Sequence, residues 1–532
     1  MADAVVIGSG PNGLVAANLL ADSGWEVTVL EEAEAPGGAV RSGELIEPGY
    51  TNDMFSAFYP FTVASPHMRR LELERWGLQW LASPVAVAHP ARDGTCPAVA
   101  LDLEETVASL EECAPGDGQG WRDLYALWRR VRSGALGAFF GEFPPVGSVL
   151  RLLSELGARE LIRFARFSLL PVRRLGEERF TAAGGTRLLA GNALHADVSP
   201  ETALSGAFGW ILCSLAQDHG FPVPRGGAGG ITEALVRRLR ARGGELVCGR
   251  RVTKVEVTGG RATGVVAGDA RIPAARAVIA DVGAPQLYLE LLRDLPLPAG
   301  LRRELERFQY DNGTVKVDWT LDGPIPWPSA RARAAGTVHV AEGVDALTVH
   351  ASQMARHLIP NDPYLVLGQY SSFDVSRAPA GKETAWAYTH VPQKILGDAR
   401  DELTGSWDER ETDIFTERIE EQVEHLAPGF RDLIRGRHVF TPVSFERANR
   451  NLVRGALNGG TAQLHQQLIF RPVPGLARPE TTVAGLYLGS ASAHPGGGVH
   501  GGPGANAARA AIAEERRRHL RPLGWLSRQA QT

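Results

Sequence analysis

Three glycines near the start of the chain have the spacing of a phosphate-binding turn. They follow a short apolar run over residues 4–7 and open a segment, 12–23, whose apolar residues have helical spacing. In such a turn the first glycine permits the tight bend, the second lets the backbone approach a pyrophosphate, and the third lets the helix pack on the strand. The helix N-terminus then faces the phosphates. The residues predicted to form this site are Gly8, Gly10, Pro11, Asn12 and Gly13.

An acidic residue ends the second predicted strand, 27–30. Glu31 lies about 20 residues after the glycines, at the position where a carboxylate accepts hydrogen bonds from ribose hydroxyls. The alternative is an ordinary glycine turn between a strand and a helix. The acid at this spacing favours dinucleotide binding.

A pair of adjacent glycines follows in the next loop. Gly37 and Gly38 permit a further close approach of the backbone, and Arg41 can meet a phosphate with two parallel hydrogen bonds. The alternative for Arg41 is a surface arginine without a ligand.

A second glycine-rich loop stands near the other end of the chain, between a predicted strand and a helix that begins near residue 502. Its backbone can lie against a planar ring, and the helix N-terminus favours negative charge that develops on reduction. The two loops together indicate one FAD bound along the fold. The loop residues predicted to contact it are Gly489, His494, Pro495, Gly496, Gly497 and Val499.

Histidines in the second loop are candidates for proton chemistry. His494 can relay a proton or hydrogen-bond the flavin, and the alternative is a histidine that only holds the loop. His500 is a weaker candidate of the same kind.

The composition excludes several classes of protein. The 532 residues are 44% hydrophobic and 22% charged, which argues against disordered, fibrous and disulfide-scaffold proteins. A net charge of -4 gives no reason to expect a nucleic-acid partner. The four cysteines form no C-x-x-C pair, which argues against thiol–disulfide chemistry and suits a cytoplasmic compartment. The sequence predicts no metal site and no membrane span.

These motifs resemble the phytoene desaturase-like branch of the FAD-dependent amine oxidase superfamily, and within it the subgroup named for pyridine nucleotide-disulphide oxidoreductase domain-containing protein 2. The likeness covers nearly the whole chain, and its most specific part is the string over residues 485–499. One departure is that many relatives carry an arginine directly after the glycine pair, whereas here Ala39 and Val40 precede Arg41. The other matching segments are 224–227, 231–235, 261–265, 280–281, 427–430 and 471–472.

The resemblance implies a non-covalent FAD and an α/β fold. A Rossmann-like FAD-binding domain is interleaved with a mixed-sheet plus helical substrate domain, and the backbone of Val252 contacts the FAD. The expected boundaries are 1–90, 222–290 and 443–520 for the FAD-binding domain, 91–221 and 291–442 for the substrate domain, and 521–532 for a basic C-terminal tail.

The resemblance also suggests residues beside the flavin ring. Lys316, with Trp327 beyond it, is similar to a strand lysine of amine oxidases that holds a water at the flavin, and the alternative is an exposed lysine on a strand face. Ser56, Phe58 and Tyr59 are candidates to line the ring or a substrate tunnel, with core packing as the alternative.

The implied chemistry is oxidation or reduction of an apolar small molecule. The leading expectation is a desaturase or saturase of C–C bonds in an isoprenoid- or polyene-like substrate, by hydride transfer to or from flavin N5. A flavin-dependent isomerase or cyclase and an amine oxidase are alternatives among enzymes. A non-catalytic lipid-escort protein is the alternative from another class. Only one ribose-binding acid is present, so no separate NAD site is expected.

One predicted helical stretch, 149–170, carries several arginines between apolar residues. A basic amphipathic helix can rest on a membrane surface and admit a lipid substrate. The favoured alternative is that it packs on its own domain with a solvated arginine face. We therefore expect a cytoplasmic protein, with peripheral membrane contact as the open alternative. The arginines are Arg151, Arg159, Arg163 and Arg166.

Overall fold

The strands of the computed structural model, which describes residues 1–520, form two large sheets and three short pairs. The predicted basic tail, 521–532, lies outside the described residues. In chain order the strands are β1 Ala2–Ile7, β2 Val27–Leu30, β3 Ser42–Gly43, β4 Asn52–Asp53, β5 Trp80–Leu81, β6 Val85–Ala88, β7 Ala98–Ala100, β8 Val223–Pro224, β9 Glu245–Val247, β10 Val252–Thr258, β11 Arg261–Ala267, β12 Ala270–Ala280, β13 Gly313–Leu321, β14 Ala335–Val340, β15 Leu358–Ile359, β16 Leu365–Gln369, β17 Glu383–Val391, β18 Gly397–Asp398, β19 Ile434–Phe440 and β20 Leu486–Leu488.

The α-helices cover the faces of both sheets. Of the helices within residues 1–520, none is long and apolar enough to traverse a bilayer. In chain order they are α1 Pro11–Asp22, α2 Pro60–Ala64, α3 Pro66–Arg69, α4 Leu103–Glu111, α5 Asp117–Phe140, α6 Val146–Leu156, α7 Ala158–Leu169, α8 Val172–Arg179, α9 Ala183–His195, α10 Ser205–His219, α11 Gly229–Ala241, α12 Ala299–Glu306, α13 Ala330–Ala334, α14 Val344–Ala355, α15 Glu409–Leu426, α16 Pro442–Ala448 and α17 Gly502–Leu520.

The first sheet is the Rossmann-like one. Its order is β10-β11-β12-β1-β2-β9, with β20 beside β12. Strands β20, β12, β1, β2 and β9 are parallel, whereas β10, β11 and the start of β12 form an antiparallel meander. Helices α1, α11 and α17 pack on one face. Because both faces of the parallel strands are covered, Val5 and Val6 are equally buried although they point to opposite sides.

The second sheet is mixed and has the order β19-β13-β17-β16-β14-β6-β7. Helices α4–α10 form a layer against one face, and α15 packs on the other. Along β13 the alternation of side chains separates the faces. Val315, Val317 and Trp319 pack toward α15, so Lys316 and Asp318 point to the opposite face.

Strands of the first sheet come from the start, middle and end of the chain, which confirms the predicted interleaved α/β fold. The predicted boundary at residue 90 is wrong by one strand. Strand β6, Val85–Ala88, pairs with β14 in the second sheet. A short run of valine and alanine is typical of a buried strand in either sheet, so the sequence did not assign it to one of them.

The predicted helix over residues 149–170 is two helices rather than one. Helix α6 ends at Leu156 and α7 begins at Ala158, because Gly157 between them has a φ of 76°, which a continuing helix cannot adopt.

One buried carboxylate joins the two domains. Asp53 Oδ1 accepts hydrogen bonds from Ser42 Oγ and from the Ala228 backbone N–H, both at 2.7 Å, in the first domain. Its Oδ2 accepts from Arg377 of the second domain at 2.9 Å, and Arg377 also donates to Asp374 at 2.9 Å. Arg377, Asp53 and Asp374 are each at most 2% exposed. The domain interface therefore depends on a closed, desolvated ion network.

We expect Arg377→Ala to lower the free energy of unfolding by about 3–5 kcal/mol, because it leaves the buried Asp53 and Asp374 charges unpaired. Urea unfolding of the holoprotein measures this loss. The matched control is Arg166→Ala, which breaks the Arg166–Glu178 surface pair and is expected to change little. Equal destabilisation by the two substitutions would contradict the assignment.

Candidate cofactor and substrate site

A single cavity of about 630 Å³ connects the two domains. Its size is within the range of small-molecule and cofactor sites. Glu31 and Gly10 of the first domain line it together with Lys316 and Trp386 of the second sheet. The cavity therefore brings the predicted dinucleotide motif and the predicted substrate domain to one site.

The glycine turn has the geometry that its spacing predicts. Gly8 has a φ of 92°, and a Cβ there would lie 2.9 Å from the carbonyl oxygen of Asp281. A Cβ on Gly10 would lie 2.7 Å from Oδ2 of Asp281, and one on Gly13 would lie 2.3 Å from the carbonyl oxygen of Gly8. Gly8 and Gly10 line the cavity, whereas Gly13 lies behind them where α1 packs on the turn.

The N-terminus of α1 is open toward the cavity. Its N-cap, Gly10, supplies no side chain to the first N–H groups, and Pro11 occupies the first turn. Asn12 lines the cavity, and its Oδ1 is buried without a hydrogen-bond partner among the described residues. The helix dipole and the Asn12 side-chain amide, whose N–H groups can donate to a phosphate oxygen, fit the pyrophosphate of FAD.

Glu31 is held in place with part of its hydrogen-bonding capacity unused. Its Oε2 accepts from the backbone N–H of Ser9 at 2.8 Å and from Ser9 Oγ at 2.7 Å, and Oε1 accepts from Ala33 N–H at 2.9 Å. A carboxylate offers about four acceptor positions, so it can also accept from ribose hydroxyls. Val252 lines the cavity as well. These residues fit the adenosine half of FAD.

Asp281 lines the same cavity and was not singled out as a site residue from the sequence. It follows β12 directly, and its Oδ2 accepts from the Gly13 N–H at 2.8 Å. Burial raises the pKa of Asp281 to about 7. The available signal was an aspartate at the carboxyl end of a buried apolar strand, where α/β folds bind their ligands.

Of the two adjacent glycines, Gly37 and Gly38, one faces the cavity and the other does not. Gly38 lines the cavity, and a Cβ there would lie 3.0 Å from Cα of Gly10, whereas Gly37 lies behind it. Arg41 lines the cavity, but it donates to the carbonyls of Gly38 at 3.1 Å and Ala448 at 3.3 Å. Its contact with a phosphate stays a prediction.

Arg447 and Arg450, two of the further arginines that line the cavity, were not singled out from the sequence. They stand on either side of Ala448, the residue whose carbonyl accepts from Arg41. No motif marked them, because they come from a segment far from the glycine turn.

The C-terminal glycine loop contributes to the wall through only some of its predicted residues. Pro495, Gly497 and Val499 line the cavity. Gly489 and Gly496 lie behind the wall, where a Cβ would meet Ile279 and the Arg471 guanidinium at 3.0 and 3.1 Å. They shape the loop rather than face the cavity.

Of the two histidines, His500 has the contacts that the loop-holding alternative requires. Neither belongs to the lining formed by the described residues. The His494 ring packs edge-on against Phe143 at 5.9 Å, and burial lowers its pKa to about 4. His500 Nδ1 accepts from the Gly502 N–H, and its Nε2 lies 3.1 Å from the Gly497 carbonyl, so this ring ties the loop to α17. The proton relay through His494 therefore stays a prediction, and the position of the ring outside the cavity lining does not support it.

The three predicted tunnel residues line the cavity. Ser56 Oγ donates to the Ala39 carbonyl at 2.7 Å and lies 2.9 Å from the Tyr59 hydroxyl. The Phe58 ring lies 5.8 Å from Tyr370 and 5.9 Å from Trp386. Phe58 thereby connects the first domain to the aromatic wall of the second sheet.

Lys316 is buried, so the exposed-lysine alternative is wrong. Its Nζ donates to the Asp53 carbonyl at 2.9 Å and to both carboxylate oxygens of Asp318. The Nζ also lies 5.8 Å from the Trp386 ring centroid. Trp327 instead packs in the core on the α15 side of the sheet and donates to Gln369. The aromatic partner of Lys316 is therefore Trp386.

Comparisons with known proteins agree with this geometry. The model of the family described as flavin containing amine oxidoreductase matches residues 12–502. The chain is 27% identical over 549 residues to mouse pyridine nucleotide-disulfide oxidoreductase domain-containing protein 2, covering 95% of this chain and 92% of the relative. It is 25% identical to the neurosporene-forming phytoene desaturase of Cereibacter sphaeroides, covering 94% and 92% of the two chains.

Among solved structures, an oxidoreductase from Methanosarcina mazei has the same fold. The TM-score is 0.60 at 16% identity, covering 96% of this chain and 99% of the other. The family match, together with the phosphate and ribose positions described above, confirms the predicted resemblance and the predicted cofactor, FAD.

We expect Gly10→Ala to strip the protein of most of its FAD, because the added methyl group would enter the space between the turn and the Asp281 carboxylate. The ratio of flavin to protein absorbance after purification measures retention. The control is Gly300→Ala in α12, where a Cβ would meet nothing within 4 Å. Full flavin retention in Gly10→Ala would contradict the assignment of this turn.

Proposed function

We propose, since the chain belongs to the family of flavin-containing amine oxidoreductases, that it desaturates or saturates C–C bonds of an apolar, isoprenoid- or polyene-like small molecule. When bound, FAD supplies the hydride acceptor or donor at N5. Phytoene desaturases are among the relatives, at about a quarter identity over nearly the whole chain, which supports this substrate class.

The main support for the proposal is that the second domain lines the cavity with mostly apolar side chains. Its described lining consists mainly of aromatic and aliphatic side chains from α5, α9, α10 and the second sheet, which favour burial of hydrocarbon over polar ligands. The apolar lining residues of this wall include Phe139, Ala196, Phe208, Leu212, Phe221, Val366, Trp386 and Tyr388.

The charges of this wall favour a neutral substrate over an ammonium ion. Within the described parts of 91–221 and 291–442, no carboxylate lines the cavity, and the charged side chain that does is the Lys316 ammonium group. Because Lys316 is already paired with Asp318, the described part of this wall offers a cationic amine no free anion to bind. The amine oxidase alternative is therefore less well supported than C–C chemistry.

The decisive experiment mixes the oxidised holoenzyme anaerobically with neutral polyenes, and separately with primary amines, while flavin absorbance is followed. We expect an apolar alkene to bleach the flavin at millimolar concentrations or below, and amines to leave it oxidised. For a saturase, the flavin is first reduced chemically and a polyene is expected to reoxidise it.

Each alternative function predicts a different outcome of this experiment. Bleaching by amines alone would overturn the proposal in favour of an amine oxidase. Product formed only after chemical reduction, with no net change in flavin absorbance, would indicate an isomerase or cyclase. A protein that binds polyenes without any flavin or redox change would indicate a lipid-escort function.

We further propose that α6 and α7 contact an anionic membrane surface, from which an apolar substrate is drawn. Helix α6 packs on α5, whose residue Phe139 lines the cavity. The segment 146–169 carries four arginines and two glutamates, so its charge complements anionic lipid. A cytoplasmic protein peripheral to a membrane fits this arrangement. The apolar side chains that these two helices expose are Val146, Val149, Leu150, Leu153, Ile162 and Leu169.

We expect the full chain to co-sediment with vesicles of phosphatidylglycerol and phosphatidylcholine, and the double substitution Leu150→Glu with Ile162→Glu to abolish most of this binding. These side chains are 59% and 73% exposed, so the change removes apolar contact and adds negative charge without opening the core. Leu396→Glu, at a residue 64% exposed outside these helices, is the control. Unchanged sedimentation of the double variant would contradict the proposed contact.

A further inference from the structure

Two polar side chains in the cavity have no hydrogen-bond partner within residues 1–520. Thr314 of β13 and His390 of β17 face each other directly across the antiparallel ladder, and both line the cavity. Thr314 Oγ1, His390 Nδ1 and His390 Nε2 are all buried without a partner among the described residues. Thr314 is 1% exposed and His390 3% exposed.

Orphaned polar atoms of this kind are exceptional in a folded protein, because nearly all buried polar side-chain atoms are hydrogen-bonded. Residues directly opposite on antiparallel strands have Cβ atoms about 5 Å apart, close enough for both to reach one small group. Since the two side chains do not bond each other, their hydrogen-bonding capacity is open to a ligand in the cavity.

The chemistry of the pair selects the kind of ligand group. A neutral imidazole provides one donor and one acceptor, and a threonine hydroxyl provides both. The nearest cation along β13 on this face, Lys316, already donates to Asp318 and to the Asp53 carbonyl. Lys316 therefore has no free positive charge for an anionic group beside Thr314 and His390. An uncharged oxygen can instead accept hydrogen bonds from these two side chains.

We infer that the substrate is not a pure hydrocarbon but carries an uncharged hydroxyl or carbonyl oxygen, which Thr314 and His390 bind at the sheet wall. The inference rests on the proposed function, since it assumes that an apolar small molecule occupies this cavity. It adds that one polar end of that molecule fixes its direction in the site. Tyr388, whose ring lies 5.4 Å from His390, forms the adjoining aromatic wall.

The test measures binding to the holoenzyme through quenching of tryptophan fluorescence, because Trp386 lines the cavity. The probes are geraniol, geranial and the hydrocarbon myrcene, which are close in size and differ in oxygen content. We expect the alcohol or the aldehyde to bind about three- to tenfold more tightly than the hydrocarbon, the effect of one or two neutral hydrogen bonds.

Thr314→Val and His390→Leu are expected to remove this preference while myrcene binds as before or more tightly. Both substitutions delete buried polar atoms that have no partner in the described part of the chain, so the variants are expected to fold. The matched control is Thr389→Val. Thr389 Oγ1 is equally buried and unpartnered, but its side chain lies on the other face of β17 and does not line the cavity.

The outcomes separate the inference from the proposed function. Equal binding of all three probes would overturn the oxygen site, with the pair serving ordered water only, and would leave the apolar-substrate proposal standing. A preference that survives both substitutions would also overturn it. Failure of every probe to bind would overturn the proposed function and the inference together.

Discussion

The Asp53 carboxylate fixes the geometry on which the rest of the site depends. Its two oxygens accept from Ser42, Ala228 and Arg377, and also from the Tyr370 hydroxyl at 2.9 Å. Trp386 in turn donates to the Tyr370 hydroxyl at 2.7 Å. One buried residue of the cofactor domain therefore sets the position of the aromatic wall, and its carbonyl receives Lys316 as well.

This dependence explains why charged groups are tolerated deep between the domains. Burial raises the pKa of Asp318 to about 6, while the adjacent Lys316 ammonium acts in the opposite direction. An isolated ion at this depth would be costly, but each ion here is paired with an opposite charge. Asp53, Arg377 and Lys316 also make further hydrogen bonds. The network contributes a defined arrangement of the two domains, and so of the cavity between them, more than it contributes net stability.

The cofactor half of the site could be predicted from the sequence because its constraints are local. Gly8, Gly10 and Glu31 act through backbone conformation, close approach and a fixed spacing, all of which one short segment specifies. The roles of Asp53 and Asp281 could not be predicted in this way, because the residues that they contact lie up to 324 positions away in the chain.

The substrate half was predicted less well for a related reason. The alternation of side chains along a strand shows which residues share a face, but it does not show which face lies toward the cavity. The sequence therefore indicated Trp327, beyond the end of β13, as the partner of Lys316, whereas the sheet order places Trp386 beside it. For His494 the sequence placed the loop correctly but not the side chain. The loop lies at the cavity, whereas the His494 ring packs against Phe143.

The inward face of β13 carries polar side chains both with and without hydrogen-bond partners among the described residues. At one end of β13, Asp318 and Lys316 use their capacity on each other and on Asp53, so they act as structural anchors. Four positions from Asp318 on the same face, Thr314 lies opposite His390 across the ladder, and neither side chain has a hydrogen-bond partner among the described residues. Natural sequences leave buried polar groups unpaired mainly where function requires it. Thr314 and His390, which line the cavity, are therefore the groups that the proposed substrate oxygen would satisfy, whereas Lys316 and Asp318 hold the scaffold.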